Sequence, residues 1–553
     1  MSLQFEFPVN LTVEQFIAKL SLEANTQPAS RQSSCNIYFD SFDWRLFSSG
    51  LICEFQQTKA VRFRSQQALS SLILRSLKTG LTVAEAKLKN VPSFSKEFEP
   101  GIIRDTLKPA LEMRALLPVC TLDYEIYHVN IINKDEKIIL RLLIEEYSQF
   151  NNRVLLQPVK GYGKAAEHIT EILTATLGLT ATDEPVLLTA LRVQGRKPKD
   201  YSSKLNINLD PDMRADIAGK YIYSHLLKAI KVNEPGTIAN TDSEFLHDFR
   251  VAVRRTRAGL SQIKDILPAN INAYYADFFS WLGLITGPTR DLDVYLLNFE
   301  RYDYIDAEGT SPRTGEVELR LEQQSRAMHG ATAYKSSLPA SIREDLNPLY
   351  DFLLAKQQKA QKELAKKLQS AKYLSTLSEW EQYLREPSFK KPLEQNAKLS
   401  IKELGDRRIW KIYTRVLQEG DAITDLSPAE ALHDLRKSCK KLRYLMEFFQ
   451  SLYPEQQIKH LIKKLKELQD VLGDFQDYAV QEHNLKLFSE EMMALNTPAN
   501  TFLAMGVLIQ DLDARRCSAR KDFASRFEDF KQEENQSAFK QLFARTKPHN
   551  PQH

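Results

Sequence analysis

Several features are scarce or missing in this chain of 553 residues, and each absence removes a class of function. The five cysteines, Cys35, Cys53, Cys120, Cys439 and Cys517, are odd in number and far apart, with no Cys-x-x-Cys pair. That excludes the usual zinc spacing and a disulfide scaffold, and it fits a reducing compartment. No run approaches the roughly 18 to 20 apolar residues needed to span a bilayer. The opening MSLQFEFPVNLTVEQF has no basic segment followed by an apolar one. The expectation is a cytoplasmic protein with no membrane partner. There is no P-loop, no Gly-x-Gly-x-x-Gly, no His-Glu-x-x-His and no Gly-x-Ser-x-Gly. Gly161-Tyr162-Gly163 is too short to cradle a nucleotide and reads as a turn before a helix at Lys164. Nor does one sign of charge dominate: 75 cations stand against 71 anions, a net of +4. So even a balance says nothing about partners, and only local placement can.

What is present is an ordinary globular composition, 43% apolar and 26% charged. The length exceeds one compact core, so two or more domains are expected. Before residue 200 there are short runs rich in β-branched and aromatic residues, at Cys35–Phe39, Leu72–Leu77, Tyr124–Ile132 and Lys137–Glu146. They read as strands of an antiparallel sheet or barrel. Helical patches lie at Thr12–Ala24, capped by Thr12, and at Lys164–Leu177. After residue 210 apolar residues recur at three and four, with breaks expected at Pro268, Gly287-Pro288, Pro339, Pro428, Pro454 and Gly473. Residues 301–318 read as a polar loop. The predicted fold is multidomain α+β. Residues 1–198 form an antiparallel β domain, tunnel-like or barrel-like, with helices, and 199–209 a linker. Residues 210–545 form an all-helical domain of two repeats, about 210–400 and 401–545.

The repeat is explicit. Leu246-His247-Asp248-Phe249-Arg250 returns as Leu432-His433-Asp434-Leu435-Arg436, an offset of 432 − 246 = 186. One register carries Arg254-Arg255 to Lys440-Lys441, Arg257 to Arg443, Pro268 to Pro454, Gly287 to Gly473 and Asp291 to Asp477. On a helix with His247 at zero, Arg250, Arg254 and Arg257 fall at about 300°, 340° and 280°. Four cation-capable groups thus share a sector roughly 80° wide, beside the apolar stripe of Phe249, Val253 and Leu260. The second copy repeats this with His433, Arg436, Lys440 and Arg443, flanked by Lys437 and Lys441. Like charges at this spacing repel, and only the Asp beside each His is a nearby counter-ion. Two such stripes facing each other would make a basic groove. Phosphates are its natural counter-charge, since arginine grips their oxygens through paired hydrogen bonds and lysine adds a point charge. A lesser stripe, Lys356, Lys359, Lys362 and Lys366, is echoed by Arg515, Arg516 and Arg520. It reads as a solvated face, with Lys356, Lys359, Arg516 and Arg520 as secondary phosphate candidates.

LHDFRVAVRRTRAGL and LHDLRKSCKKLRYL, each followed by a hairpin carrying GPTRDLDV or GDFQDYAV, resemble the CHAD family, the conserved-histidine α-helical domain. The resemblance covers about residues 205–545. It implies two four-helix units enclosing a basic pore that binds inorganic polyphosphate. Carried over by position, the contacts are His247, Arg250, Arg254, Arg255 and Arg257 with His433, Arg436, Lys437, Lys440, Lys441 and Arg443. Val251 departs from the pattern, because the second copy has Lys437 there. Association with polyphosphate granules is a further implication.

Residues 1–195 resemble the CYTH, or triphosphate-tunnel, family through IYFDSFDWRLFSSGL, KEFEP, RLLIEEY and LLQPVKGYGKA. Catalytic members open on Glu-x-Glu-x-Lys, whose carboxylates hold a divalent metal. Here the start is Gln4-Phe5-Glu6-Phe7-Pro8, and Glu54 and Gln56 stand where arginines would alternate. The expectation is a non-catalytic tunnel without cofactor. Were it active, Glu6, Glu97, Glu99 and Glu145, with Glu146 beside it, would be the magnesium or manganese ligands of a triphosphatase or polyphosphatase. Nucleic-acid binding is a third reading, weakened because only Tyr444 lies near the cations for bases to stack on. The sequence leaves the oligomeric state open.

Overall fold

Alternation of apolar and polar residues in the first part of the chain becomes strand. In the computed structural model residues 3–58, 70–300 and 340–544 are described. The chain falls into two units, residues 1–202 and 203–553. The first holds β1 (Leu3–Glu6), β2 (Thr26–Asp40), β3 (Leu51–Thr58), β4 (Ser70–Ser76), β5 (Thr82–Lys87), β6 (Leu117–Ile132), β7 (Ile138–Tyr147), β8 (Arg153–Pro158) and β9 (Thr180–Ala181). They form one antiparallel sheet in the order β5-β4-β3-β2-β6-β7-β8-β1-β9. The expected antiparallel sheet with helices is present, and among the described residues its ladder does not close into a barrel. Closure needs edge strands that meet in register at a common tilt, and the two edges are the six-residue β5 and the two-residue β9. The long spine is β2 against β6, from Thr26 opposite Ile131 to Asp40 opposite Leu117. Pro28, which cannot donate to a ladder, sits at one of its irregularities.

Among the described residues five helices decorate this sheet: α1 (Val13–Glu23), α2 (Arg45–Ser48), α3 (Ile102–Leu111), α4 (Gly163–Glu171) and α5 (Val186–Val193). Thr12 caps α1 in a reciprocal box with Gln15. The helix expected over 164–177 is α4, continued by a wider turn at Ile172–Thr176.

The second unit is helical throughout its described length. It comprises α6 (Ala215–Ala239), α7 (Ser243–Gln262), α8 (Ala269–Glu300), α9 (Ala340–Asp345), α10 (Asn347–Leu368) and α11 (Ala371–Arg385). Then follow α12 (Ile401–Asp421), α13 (Ala429–Phe449), α14 (Glu455–Met493), α15 (Ala499–Phe530) and α16 (Glu533–Phe543). Helices starting at 215, 243 and 269 have counterparts starting at 401, 429 and 455, each 186 residues later. The halves also touch at equivalent positions. The Ala215 N–H donates to Leu399 O at 2.9 Å, and the Ile401 N–H donates to Met213 O at 2.8 Å. Each bond maps onto the other by the same offset, a reciprocal exchange of the kind a local twofold produces. Tyr295 Oη lies 3.5 Å from the carbonyl oxygen of Gln481, its own counterpart.

Two expectations change on the structure. Gly287-Pro288 and Gly473 do not break helices; they lie inside α8 and α14. A proline within a helix costs about 3 kcal/mol, and packing of α8 against α7 and α10 outweighs it. The segment expected to be a linker is partly pinned: Ile207 and Leu209 are buried in the helical core, and Ser451 Oγ accepts from the Leu209 N–H. The predicted loop at 301–318 and Pro339 lie outside the described residues.

Candidate functional site

The Asp242 carboxylate starts α7 by accepting from the Glu244 and Phe245 N–H groups. Pro428 precedes the first turn of α13. Their apolar stripes enter one core: Phe249, Val253 and Leu260 on α7, Leu435, Leu442 and Leu445 on α13. Because the basic stripe borders the apolar one, burying the second fixes where the first points. The motif helices α7 and α13 pack against each other, so the two stripes are brought to one place.

Arg250 is held between α7 and α8. Its Nη1 donates to Gly283 O at 3.1 Å and to Thr286 Oγ1 at 2.7 Å. Burial, then the nearby Arg254, lowers its pKa to about 10. Arg257, exposed, lies along α8 at Gly283, where any Cβ would come within 2.8 Å of its Nη1. Gly287 and Gly473 likewise face the guanidinium groups of Arg250 and Arg436. These glycines thin α8 and α14 where arginines cross them. Arg254 and Lys440 are counterparts in the repeat, and each feels the other's charge across the helix pair. Burial first, then Arg436, Arg254 and Arg443, push the Lys440 amine down to about 7. Among the described residues no carboxylate pairs with Arg250, Arg254, Arg257, Lys440 or Lys441.

Carboxylates line the other side. Asp477 accepts from Arg436 at 3.0 Å. Burial raises Asp474 to about 7, helped by Asp477 and Asp470, and raises Asp470 to about 6 against the pull of Lys466 and Arg443. Burial also raises Asp291, countered by Arg250 and Arg290 and aided by Asp477. The histidines differ between copies. Arg290 donates to His247 Nδ1 at 3.1 Å. Arginine can only donate, so His247 Nδ1 is the acceptor in this contact. His433 Nδ1 faces Gln476 Oε1 at 3.0 Å and donates to it.

Residues 222–486 match the family model described as the CHAD domain. The helical unit carries a CHAD domain. Among solved structures, the CHAD domain of the plant Ricinus communis is similar over 57% of this chain and 94% of that one, at 22% identity and a TM-score of 0.40. A Hippeastrum protein, described as an adenylyl cyclase candidate with a dominant triphosphatase activity, is similar over 36% of this chain and 99% of that one. Its identity is 12% and its TM-score 0.26. A curated relative is an uncharacterized protein of Mycobacterium tuberculosis, 25% identical over 284 residues, 51% of this chain and 47% of that protein. The chain thus spans about half the length of the curated relatives it matches.

Within the CHAD domain several of the predicted contact residues have partners inside the fold. Arg255 is turned aside: it donates to Ser203 O at 2.9 Å and to Glu447 Oε2 at 3.0 Å. Lys437 is half exposed and pairs with Asp434 at 2.9 Å, one turn away on its own helix. Arg443 keeps a looser contact to Glu447, 3.7 Å, and lies over the Tyr444 ring. The lesser stripe is mostly occupied. Lys356 is neutralised by Glu491, Arg516 by Glu482 and Asp513, and Arg520 holds the carbonyls of Asp425 and Ser427, while Lys359 is exposed. Sequence reasoning missed Gly283, Thr286 and Arg290 as partners and Glu447 and Asp477 as counter-ions. Asp477 could have been suspected from its repeat with Asp291.

The conditional metal set of the first unit is not assembled. Glu6 accepts from Asn151 at 2.7 Å and Glu145 from the Tyr147 hydroxyl at 2.8 Å. Glu97 and Glu99 are exposed and off the strands, and Glu97 caps a short turn through the Phe94 N–H. Glu146 accepts from the Tyr127 hydroxyl. Among the described residues no three His, Cys, Asp or Glu side chains gather as a metal ion would require. No described helix is long and apolar enough to cross a membrane.

Proposed function

We propose that the CHAD domain binds inorganic polyphosphate between α7 and α13, with Arg250, Arg254, Arg257, Arg436, Lys440, Lys441 and Arg443 as contacts and His247 and His433 at the edge. The observation that carries this is the packing of α7 against α13, which brings the charge of Arg254 to bear on its counterpart Lys440, while among the described residues no carboxylate is paired to either. Desolvated like charges cost stability, and an anion that recurs every few ångströms repays that cost along both stripes. Stripe cations are roughly 5 Å apart along a helix rising 1.5 Å per residue, a spacing suited to linked phosphates. Single-stranded nucleic acid fits less well. Tyr444, the aromatic nearest the cations, is buried under Arg443 and offers no face for a base.

For the first unit the proposal is a non-catalytic role. Its support is Gln4 and Pro8 in place of two motif residues and the commitment of Glu6, Glu97 and Glu145 to hydrogen bonds within the fold. Granule association follows from the same polyphosphate reading, and fluorescence microscopy of the tagged protein checks it.

The test is calorimetric titration of the full chain with polyphosphate of defined length. Affinity should rise with chain length and fall with salt, and each cation removed should lower the salt slope by about one. Arg254→Ala with Lys440→Ala should weaken binding by tenfold or more. Unchanged affinity in that double variant sinks the proposal. Phosphate release from triphosphate with magnesium, abolished by Glu145→Gln and untouched by Arg254→Ala, would instead establish the first unit as an enzyme.

A further inference from the structure

We propose that the groove takes up a proton when it takes up its anion, and that the Lys440 amine is the group that receives it. This rests on the reading that condensed phosphate occupies the space between α7 and α13.

The argument begins with placement. Lys440 is half-buried at the centre of the second stripe, on the helix that packs against α7. Arg436 and Arg443 act on it from its own helix, Arg254 from α7 and Asp477 from α14. That one carboxylate already accepts from Arg436 at 3.0 Å. Among the described residues the amine has neither a hydrogen bond nor an ion pair. It is therefore short of water, short of acceptors and surrounded by three positive groups, each of which disfavours the ammonium form. Its titration is accordingly brought down to about 7.

An arriving phosphate reverses all three conditions at once. It supplies oxygen acceptors, places negative charge beside the amine and screens it from Arg254, Arg436 and Arg443. The ammonium form is then the stable one, so the occupied site holds a proton that the empty site lacks at mildly alkaline pH. No bond to the anion forms and nothing is oxidised; one proton passes from buffer to nitrogen. The arginines of the groove cannot do this, because they stay charged across the working range.

The experiment is calorimetry of the full chain with long-chain polyphosphate in two phosphate-free buffers of different ionisation enthalpy, between pH 6 and 9. Long chains keep titrating end groups to a small fraction of the ligand. Uptake should be near zero at pH 6 and approach about one proton per site at pH 8 to 9. Affinity should fall by up to tenfold per pH unit above 7. Lys440→Arg carries a fixed charge, so the part of the uptake and of that slope owed to the amine should vanish between pH 7 and 9, leaving only what Asp470 and Asp474 contribute near pH 6 to 7. Lys440→Met should lose the uptake and bind more weakly at pH 6. Circular dichroism and urea midpoints establish that each variant is folded. Binding by the wild type with no proton uptake overturns this inference and leaves the polyphosphate reading standing, and so does a Lys440→Arg variant with the wild-type slope. No binding at pH 6, where the amine is charged, overturns both.

Discussion

Glu447 decides which arginines stay available. It lies on α13 one turn beyond Arg443 and reaches across to Arg255, and both members of the Arg255 pair are about 15% exposed, at 14% and 15%. A charged hydrogen bond in that setting is worth about 1.5–3 kcal/mol, so the pair serves the helix junction and not the groove. Glu447→Gln should lower stability by about 1–3 kcal/mol in urea unfolding, and should tighten polyphosphate binding by releasing Arg255 and Arg443. Looser or unchanged binding would show that neither arginine reaches the anion. The stripe was legible because charge recurs at three and four on one face. This neutralisation was not, since Arg255 and Glu447 are separated by 192 residues and sequence spacing carries no signal at that range.

At the scale of elements, small residues set how closely helices approach. Gly236 on α6 faces the Phe245 ring, and a Cβ there would meet ring carbons at 2.4 Å. Gly236→Ala should destabilise the CHAD domain by about 1–3 kcal/mol. Gly473 differs: its added Cβ would lie 3.5 Å from Arg436 Nη2, an ordinary contact. Gly473→Ala should therefore be neutral or stabilising by up to about 1 kcal/mol, as expected for glycine replaced within a helix. Gly473→Leu should displace Arg436 and weaken anion binding. Thermal melts and polyphosphate titration of the three variants separate these cases. The same residues show why helix breaks were misplaced. Gly287-Pro288 and Gly473 are poor helix formers locally, yet the helices continue through them because each buries a face along its length. Local propensity predicts a stop, and tertiary burial overrides it.

For the whole molecule, pH separates two opposing sets of groups. Asp470, Asp474 and Asp293 have folded pKa values raised by burial to about 6, 7 and 6 from 3.8. Their contribution favours the fold below about 4 and is lost as pH rises through 6 to 7. Lys440 is lowered to about 7 from 10.5, so its contribution is missing below 7 and grows as pH climbs toward 10. The urea midpoint of the unliganded helical unit should fall from pH 5 to 7 and recover by pH 9. Asp474→Asn should flatten the acid limb and Lys440→Met the alkaline one. A midpoint that rises steadily from pH 5 to 7 contradicts this balance.

The sequence by itself determined that there are two units of different class, that the helical one repeats with an offset of 186, and which face of each motif helix is basic. These are periodicities and internal identities, written in neighbouring residues. Tertiary structure alone decided that the sheet stays open among the described residues, that α7 and α13 pack so that Arg254 acts on Lys440, and that Arg255, Lys437, Lys356 and Arg516 are drawn off by carboxylates. Ion pairing and burial depend on distances through space, and those exist only once the helices have packed.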